Sequence, residues 1–385
     1  MRIAIYHNQH AGGAARVIEE YLKNAPKTDE FELFMPNTAD TGFIDLDRYV
    51  KQVHHIPIPG SDSPFGRYRR ALAIRSYGRQ IARQIDAGGF DVVFANLSFV
   101  TQSPEILPYL KTPSVYYCPE PLRAIYDTSP FPEPRTPKSS AKEVFFWGYD
   151  RLRAGFDRMA IKRATELFTH SRFTARVLQR TYGVRAAVIH LGVDTKTFRP
   201  LSAKRQGFVL SVGAMHPLKG HQFVIEALAT LPKSDRPKLV IVGPRGDFGK
   251  TLQAYATEND VVLELRLGIS TAAVVKTYNQ AGLLAAAQYN EPFGLITLEA
   301  MATKTPVVAI KEGGLAETVA DGRTGLLTRR DPHAFGEAIH RVLSNQKLAA
   351  TLGSQGFKDV HRRWNWAVTT EKIERLLKQA ARTRG

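Results

Sequence analysis

Short apolar runs recur along the chain, and helix-length segments separate them. Several of these runs are apolar almost throughout, which is typical of parallel strands that are buried on both faces. Strands that alternate with helices predict βαβ units and doubly wound sheets. The predicted strands are 2–7, 31–35, 91–97, 113–118 and 166–171 in the first half of the chain, and 208–214, 238–244, 261–267, 281–288 and 305–311 in the second.

Two such series predict an α/β protein with two Rossmann-like, doubly wound domains. The length of 385 residues agrees with this prediction, because a single hydrophobic core rarely grows so large. We expect an N-terminal domain over residues 1–195 and a C-terminal domain over residues 196–365. Residues 366–385 form an amphipathic pattern, with Ile373 and Leu377 on the apolar side. This pattern predicts a helix that packs back toward the first domain.

The overall composition is that of a folded globular protein, with 43% hydrophobic and 23% charged residues. The single cysteine, Cys118, excludes an internal disulfide. No stretch approaches the roughly 20 apolar residues that a helix needs to cross a bilayer. These features favour a cytoplasmic protein, and they leave its oligomeric state open.

The net charge of +17 is spread over both halves of the chain. Residues 1–190 carry 26 basic and 19 acidic residues, or +7, and residues 191–385 carry 27 and 17, or +10. Such an excess attracts phosphates of any kind, whether on nucleotides, on nucleic acid or on an anionic membrane. Since the chain has no recognised module for reading DNA or RNA, we predict no specific nucleic acid partner.

Two further segments have an unusual composition. Within residues 67–83, Arg75, Arg79 and Arg83 follow helical i, i+4 spacing and predict one basic helix face. This face is either simply solvated, or it binds an acidic acceptor or makes peripheral contact with an anionic membrane. Residues 119–137 contain six prolines and predict a long ordered loop or a lid.

Residues 281–327 carry the most informative chemistry. A buried strand leads into a loop that contains Glu291, and a helix is predicted to start near Gly294. The unpaired backbone N–H groups and the dipole at a helix start bind anions such as phosphate. Glu299 lies inside this helix, on the order of 10 Å from Glu291 at about 1.5 Å per helical residue. Two carboxylates at this spacing suit the hydroxyls of a sugar and of a ribose, with a diphosphate between them.

Glu291 and Glu299 form a Glu-x7-Glu motif, and a GG-x-x-E sequence at Gly313, Gly314 and Glu317 follows it. Together these motifs resemble the signature of retaining glycosyltransferases of the GT-B fold, in the large glycosyltransferase group 1 family (family 4-like). Other segments that resemble this family are the glycine loop at Gly12 and Gly13 and residues 171–184, 190–200 and 212–228.

The resemblance implies a GT-B architecture, in which two domains face a central cleft and bind the acceptor on the first domain and the donor on the second. It implies that Glu291 contacts the transferred sugar and that Lys219 neutralises the diphosphate, so these two are the catalytic candidates. Glu299 would bind the ribose, and neither a metal nor a cofactor would be needed beside the nucleotide-diphosphate sugar. The donor-binding residues implied in this way are Gly12, Gly13, His216, Lys219, Arg266, Leu267, Glu291, Phe293, Gly294, Leu295 and Glu299.

The sequence departs from the family pattern at two places. Ala214 stands where many relatives have an arginine, and the candidates for replacing the lost cation are His216, Lys219 and Arg245. In the first domain, no histidine stands where some relatives place one near the reacting sugar. Glu120 and Arg123 follow the strand at 113–118 and are the acceptor-side candidates, because α/β folds bind ligands at the carboxyl ends of strands. These two side chains could equally pair with each other.

The resemblance therefore implies a retaining, metal-independent enzyme that moves a hexose-type sugar from a nucleotide-diphosphate sugar to an unidentified acceptor. Two alternatives remain on the same fold. One is an epimerase or hydrolase of nucleotide sugars, and the other is a non-catalytic protein that binds nucleotide sugars. Fold alone does not separate them, because function depends on the residues of the site.

Overall fold

The computed structural model describes residues 1–9, 13–37, 39, 45–58, 60, 63–126 and 141–384. The chain divides into two compact units. The first unit consists of Met1–His190 and Trp366–Gly385, and the second consists of Leu191–Asn365. Each unit has its own β-sheet.

A parallel sheet of seven strands forms the centre of the first unit. The strands are β1 (Arg2–Asn8), β2 (Glu30–Pro36), β3 (Gln52–Ile56), β4 (Val92–Ser98), β5 (Ser114–Tyr117), β6 (Glu166–Thr169) and β7 (Ala187–Val188). Their order in the sheet is β3-β2-β1-β4-β5-β6-β7. In the register of the central strands, Ile5 lies opposite Leu33 on one side and Phe94 on the other. All three side chains are buried, which explains why these segments are almost continuously apolar.

Six helices accompany this sheet among the described residues: α1 (Gly13–Asn24), α2 (Pro64–Ala87), α3 (Arg123–Tyr126), α4 (Ala141–Ala160), α5 (Arg172–Tyr182) and the last helix of the chain, α13 (Trp366–Ala381). Helix α2 starts where Ser63 accepts a hydrogen bond from the Gly66 N–H at 3.1 Å, with a proline in the first turn. Helix α13 packs against α1, β4 and β5. The buried hydroxyl of Tyr21 in α1 donates a hydrogen bond to Glu374 of α13.

The second unit has a parallel sheet of six strands. They are β8 (Val209–Val212), β9 (Leu239–Gly243), β10 (Leu263–Leu267), β11 (Leu283–Ala286), β12 (Val307–Ile310) and β13 (Leu326–Thr328). Their order is β10-β9-β8-β11-β12-β13, so β8 lies between β9 and β11. The helices of this unit are α6 (His221–Ala229), α7 (Phe248–Glu258), α8 (Thr271–Gln280), α9 (Leu295–Ala302), α10 (Leu315–Thr318), α11 (Pro332–Ser344) and α12 (Gln346–Arg363).

The fold class predicted from the sequence is confirmed: both units are α/β, with parallel sheets and intervening helices. Each of the ten predicted strands is present. Three strands were not predicted, namely β3, β7 and β13. Strand β3 contains His54 and His55 and forms the edge of its sheet, so it lacks the apolar run of a central strand. The other two are only two and three residues long, which is too short for a periodic pattern to be visible.

Among the described residues, no helix has the length and apolar character needed to cross a membrane.

Candidate functional site

The two predicted catalytic residues lie in contact with each other at the carboxyl ends of neighbouring strands. Lys219 ends the 3-10 turn Pro217–Lys219 after β8, and Glu291 lies in the loop after β11. The Nζ atom of Lys219 lies 3.1 Å from Oε2 of Glu291. The two side chains are 31% and 18% exposed, so both can still be reached from solvent. The site therefore presents a cation and a carboxylate side by side.

Glycines allow the loops around this pair to approach closely. Gly220 follows Lys219 with φ of 68°, and a Cβ atom at this position would lie 2.1 Å from the carbonyl oxygen of Ala287. Gly314 donates its N–H to the carbonyl oxygen of Glu291 at 2.8 Å. A Cβ at Gly313 would lie 2.5 Å from that same oxygen. The two glycines of the GG-x-x-E sequence thus fix the backbone of the loop that carries Glu291.

The helix predicted near Gly294 is confirmed, since α9 begins at Leu295 with Gly294 as its N-cap residue. Gly294 has φ of 94°, a value that favours glycine. The first turn of a helix leaves backbone N–H groups without partners inside the helix. These groups and the helix dipole supply a local positive potential close to Glu291.

Glu299 lies in the interior of α9 and is buried. Its Oε2 atom accepts a hydrogen bond of 2.9 Å from the hydroxyl of Tyr278, which is also buried. Tyr278 belongs to α8 and fixes the orientation of the carboxylate. The sequence motif contains Glu299 but gives no indication of this partner.

The remaining donor-side predictions fall on residues with different surroundings. His216 is exposed, and its Nδ1 accepts a hydrogen bond from the Leu218 N–H at 3.2 Å. The Phe293 ring is buried against Trp364, with ring centroids 5.8 Å apart. A donor contact at Phe293 would therefore involve its backbone. Arg266, in the edge strand β10, pairs with Glu264 at 2.6 Å and donates to Thr277 Oγ1 at 3.1 Å, and Leu267 is the last residue of that strand.

His221 is a structural element of the site that the sequence analysis missed. Its Nε2 atom lies 3.2 Å from the carbonyl oxygen of Ala214, and its Nδ1 atom lies 2.9 Å from Oγ of Ser211. Burial lowers the pKa of His221 to about 4, so the imidazole is neutral at pH 7. A neutral ring satisfies both contacts if Nε2 donates to the carbonyl and Nδ1 accepts from the serine hydroxyl. His221 thereby holds the loop that leads to Lys219.

Arg330 was missed as well, although it connects the ends of three strands. Its guanidinium pairs with Glu312, with the shortest contact at 2.6 Å. It also donates to the carbonyl oxygens of Ala287 at 2.9 Å and Gln288 at 3.0 Å. The same guanidinium lies 3.7 Å from the centroid of the Tyr289 ring. Arg330 therefore anchors the start of the loop that carries Glu291, and it lies too far along the chain for a local motif to reveal this.

The structure describes only some of the predicted site residues of the first unit. Gly12 lies outside the described residues, as does the stretch 127–140 of the proline-rich segment. Gly13 is the first residue of α1, and a Cβ there would meet nothing within 4 Å. Glu120 and Arg123 form an ion pair with each other, which is the structural alternative that the sequence left open.

Profiles of known protein families match both halves of the chain. The sequence profile described as "Glycosyl transferases group 1" matches residues 193–359. The profile of "Glycosyltransferase Family 4" matches residues 11–197. Both profiles describe glycosyltransferases, and together they match residues 11–359. The group 1 match contains both catalytic candidates and all of the donor-side candidates of the second unit.

One curated relative of this chain is the D-inositol 3-phosphate glycosyltransferase of Corynebacterium efficiens, which is 34% identical over 190 residues. The alignment covers 47% of this chain and 44% of the relative. The chain thus spans about half the length of the curated relatives that it matches.

Solved structures of two other proteins share the fold of this chain. Sucrose-phosphate synthase from Thermosynechococcus elongatus matches with a TM-score of 0.76 at 20% identity, over 98% of each chain. HepE of Anabaena, in complex with UDP and glucose, matches with a TM-score of 0.71 at 19% identity, over 98% of this chain and 100% of HepE. These likenesses support the GT-B assignment of the two parallel sheets.

Proposed function

We propose that this protein transfers a hexose from a nucleotide-diphosphate sugar to an acceptor hydroxyl with retention of the anomeric configuration. The observation that carries the proposal is the 3.1 Å contact between Lys219 and Glu291, beside the N-terminus of α9. The ammonium group and the N–H groups of the helix supply positive potential where a diphosphate would bind. Glu291 and Glu299 supply carboxylates for hydroxyls on either side of it.

In the proposed reaction, the bond between the anomeric carbon and the diphosphate oxygen breaks, and the acceptor oxygen bonds to the same carbon. The acceptor hydroxyl loses its proton to the departing phosphate oxygen. Negative charge develops on the diphosphate in the transition state, so a fixed cation at Lys219 stabilises the transition state more than the bound donor. Glu291 holds the transferred sugar and keeps the ammonium group of Lys219 in place.

HepE has the same fold and was solved with UDP and glucose, so UDP and UDP-glucose are the first ligands to test. The curated relative is named for D-inositol 3-phosphate, which makes a phosphorylated polyol the first acceptor to test. Either ligand class would agree with the basic character of the chain, whose net charge is +17.

The proposal predicts that one nucleotide among UDP, GDP, ADP, TDP and CDP raises the melting temperature of the protein. A ligand at 100 times its dissociation constant stabilises the fold by about 2.7 kcal/mol.

The same screen with each nucleotide sugar, followed by product analysis with and without acceptor, tests the reaction. Donor turnover that needs no acceptor would indicate an epimerase or hydrolase instead. A folded sample that binds none of the nucleotides would refute the proposed function. Repeating the assay with a chelator tests whether transfer is independent of metal.

A second prediction concerns Glu299. The variant Glu299→Gln keeps the volume of the side chain but removes the charge that would bind the ribose hydroxyls. Since hydrogen bonds to charged groups contribute about 1.5–3 kcal/mol, we expect the dissociation constant of the bound nucleotide to rise roughly 10- to 100-fold. Isothermal titration calorimetry with the nucleotide selected by the screen measures this change.

The matched control for this variant is Glu226→Gln. Glu226 also accepts a hydrogen bond of 2.9 Å from a tyrosine, Tyr255, and it lies in α6, outside the Glu-x7-Glu motif. The control should bind nucleotide as the parent protein does. If both variants lost affinity to the same extent, the effect would reflect general loosening of the second unit, and the role of Glu299 would be refuted.

A further inference from the structure

Helix α2 presents an exposed face that combines arginines with large apolar side chains. At about 100° per residue, ten of its residues fall within one sector of roughly 120°. We call this sector the α2 face. Its large exposed side chains are Phe65, Arg69, Leu72, Arg75, Arg79 and Arg83; the same sector also contains exposed Ser76 and Ala87 and half-buried Tyr68 and Asp86.

Two large apolar side chains of the α2 face are strongly exposed. Phe65 is 71% and Leu72 is 65% exposed, whereas Ile74, Tyr77 and Ile81 on the opposite side are buried in the core. Single exposed apolar residues are normal on protein surfaces, but two of them on one basic stripe are typical of a surface that contacts a partner.

The exposed charges of the α2 face have one sign. Among the described residues, none of its four arginines lies in an ion pair with a carboxylate; Arg79 instead lies over the Tyr109 ring at 5.2 Å. The one acidic residue of the helix, Asp86, accepts hydrogen bonds from the backbone N–H groups of Lys111 and Thr112. The α2 face is therefore complementary to an extended anionic surface.

Helix α4 packs beside α2 and extends the same chemistry. A Cβ atom at Gly148 would lie 4.0 Å from the hydroxyl oxygen of Tyr68 in α2. The neighbouring Trp147 is 40% exposed, and the guanidinium of Arg151 lies 5.2 Å from the centroid of its ring. Tryptophan and arginine together are favoured where a protein meets the boundary between lipid headgroups and acyl chains.

We propose that the α2 face docks on an anionic lipid bilayer. Arg69, Arg75, Arg79 and Arg83 bind the phosphates of the headgroups, while Phe65 and Leu72 enter the layer beneath them. A lipid bilayer surface is complementary to both the positive charge and the exposed apolar side chains of the α2 face. This proposal goes beyond the proposed function, because it concerns a surface of the first unit and needs no nucleotide.

Sedimentation with lipid vesicles tests the proposal on the full chain. We expect the parent protein to sediment with vesicles of equimolar phosphatidylcholine and phosphatidylglycerol, and not with vesicles of phosphatidylcholine alone. Since each arginine near such a surface contributes about a fivefold increase in binding, the triple variant Arg75→Gln/Arg79→Gln/Arg83→Gln should bind roughly 100-fold more weakly. The matched control removes the same charge from exposed residues of the second unit, as Arg341→Gln/Lys347→Gln/Lys358→Gln, and should bind as the parent does.

Two further measurements test the apolar contribution and the place of contact. The variant Phe65→Ser/Leu72→Ser should bind anionic vesicles at least about fivefold more weakly, given the apolar area it removes from the contact. Trp364 and Trp366 are buried, so vesicle-induced changes in tryptophan emission report Trp147. We expect a blue shift with anionic vesicles that disappears in Trp147→Phe.

Several outcomes would overturn the proposal. One is a parent protein that does not sediment with anionic vesicles. Another is equal weakening by the two triple variants, which would show that net charge and not the α2 face determines binding. Binding unaffected by Phe65→Ser/Leu72→Ser would also overturn it.

Discussion

Replacing Lys219 by alanine should lower kcat for glycosyl transfer by roughly 100- to 1000-fold, the usual cost of removing one preorganised group from a developing negative charge. The Nζ atom of Lys219 lies 3.1 Å from Glu291, in the position where the proposed reaction needs a cation for the leaving diphosphate. Steady-state kinetics with the donor selected by the nucleotide screen measures the effect. The change in KM should be smaller than the change in kcat, because the charge on the diphosphate grows in the transition state.

Lys238→Ala is the matched control for this experiment. Lys238 also forms an ion pair with a glutamate, Glu264, at 2.6 Å. It immediately precedes β9, at the opposite end of the sheet from the carboxyl ends that carry the site. Its replacement should leave kcat unchanged. Normal transfer by Lys219→Ala would contradict the proposed role of this residue and, with it, the assignment of the diphosphate to this end of the sheet.

Gly220→Ala should lower the free energy of unfolding by roughly 3 kcal/mol, which combines the cost of a left-handed conformation with the cost of overpacking. Gly220 has φ of 68°, and the new Cβ would lie 2.1 Å from the carbonyl oxygen of Ala287. Because that oxygen belongs to the backbone at the end of β11, no side-chain rotation relieves the contact. Chemical denaturation and differential scanning calorimetry measure the loss.

The control Gly322→Ala separates the two contributions to this loss. Gly322 belongs to the same unit and has φ of 70°, but a Cβ there would meet nothing within 4 Å. It should cost about 1–2 kcal/mol, which is the backbone contribution alone. Equal losses in the two variants would show that the close approach of the loops after β8 and β11 does not constrain the fold. Since Lys219 precedes Gly220, the variant at position 220 should also weaken nucleotide binding, and the control should not.

The fold could be predicted to a large extent because its central strands are buried on both faces. Strands such as β4, with seven buried residues, leave a continuous apolar run that local sequence reveals. The edge strand β3 has no such apolar run. Its His54 places Nε2 2.8 Å from Oε2 of Glu32, and the imidazole ring stacks on Phe34. An edge position tolerates polar side chains, and the apolar pattern on which the prediction depends is lost.

The sequence indicated the candidate residues of the site that belong to recognisable motifs, with Lys219 in one segment and Glu291 in another. Glu291, Gly294 and Glu299 belong to one loop and one helix, so their spacing is visible in the sequence. Tyr278, His221 and Arg330 are recognisable only by what they touch. Each is a common residue type in a region without a motif, and its role depends on a partner from another element.

The sequence by itself determined the α/β class, ten of the thirteen described strands and the place where α9 begins, because burial periodicity and glycine conformations are properties of neighbouring residues. Only the tertiary structure decided which of these segments meet. Lys219 and Glu291 are 72 positions apart in the chain. They come together because β8 pairs on one side with β11, while β9, the next strand in the sequence, lies on its other side. That strand order follows from how whole strands and helices pack against each other, and the local sequence pattern of one strand does not reveal it. It places two charged side chains from distant segments at one edge of the second sheet.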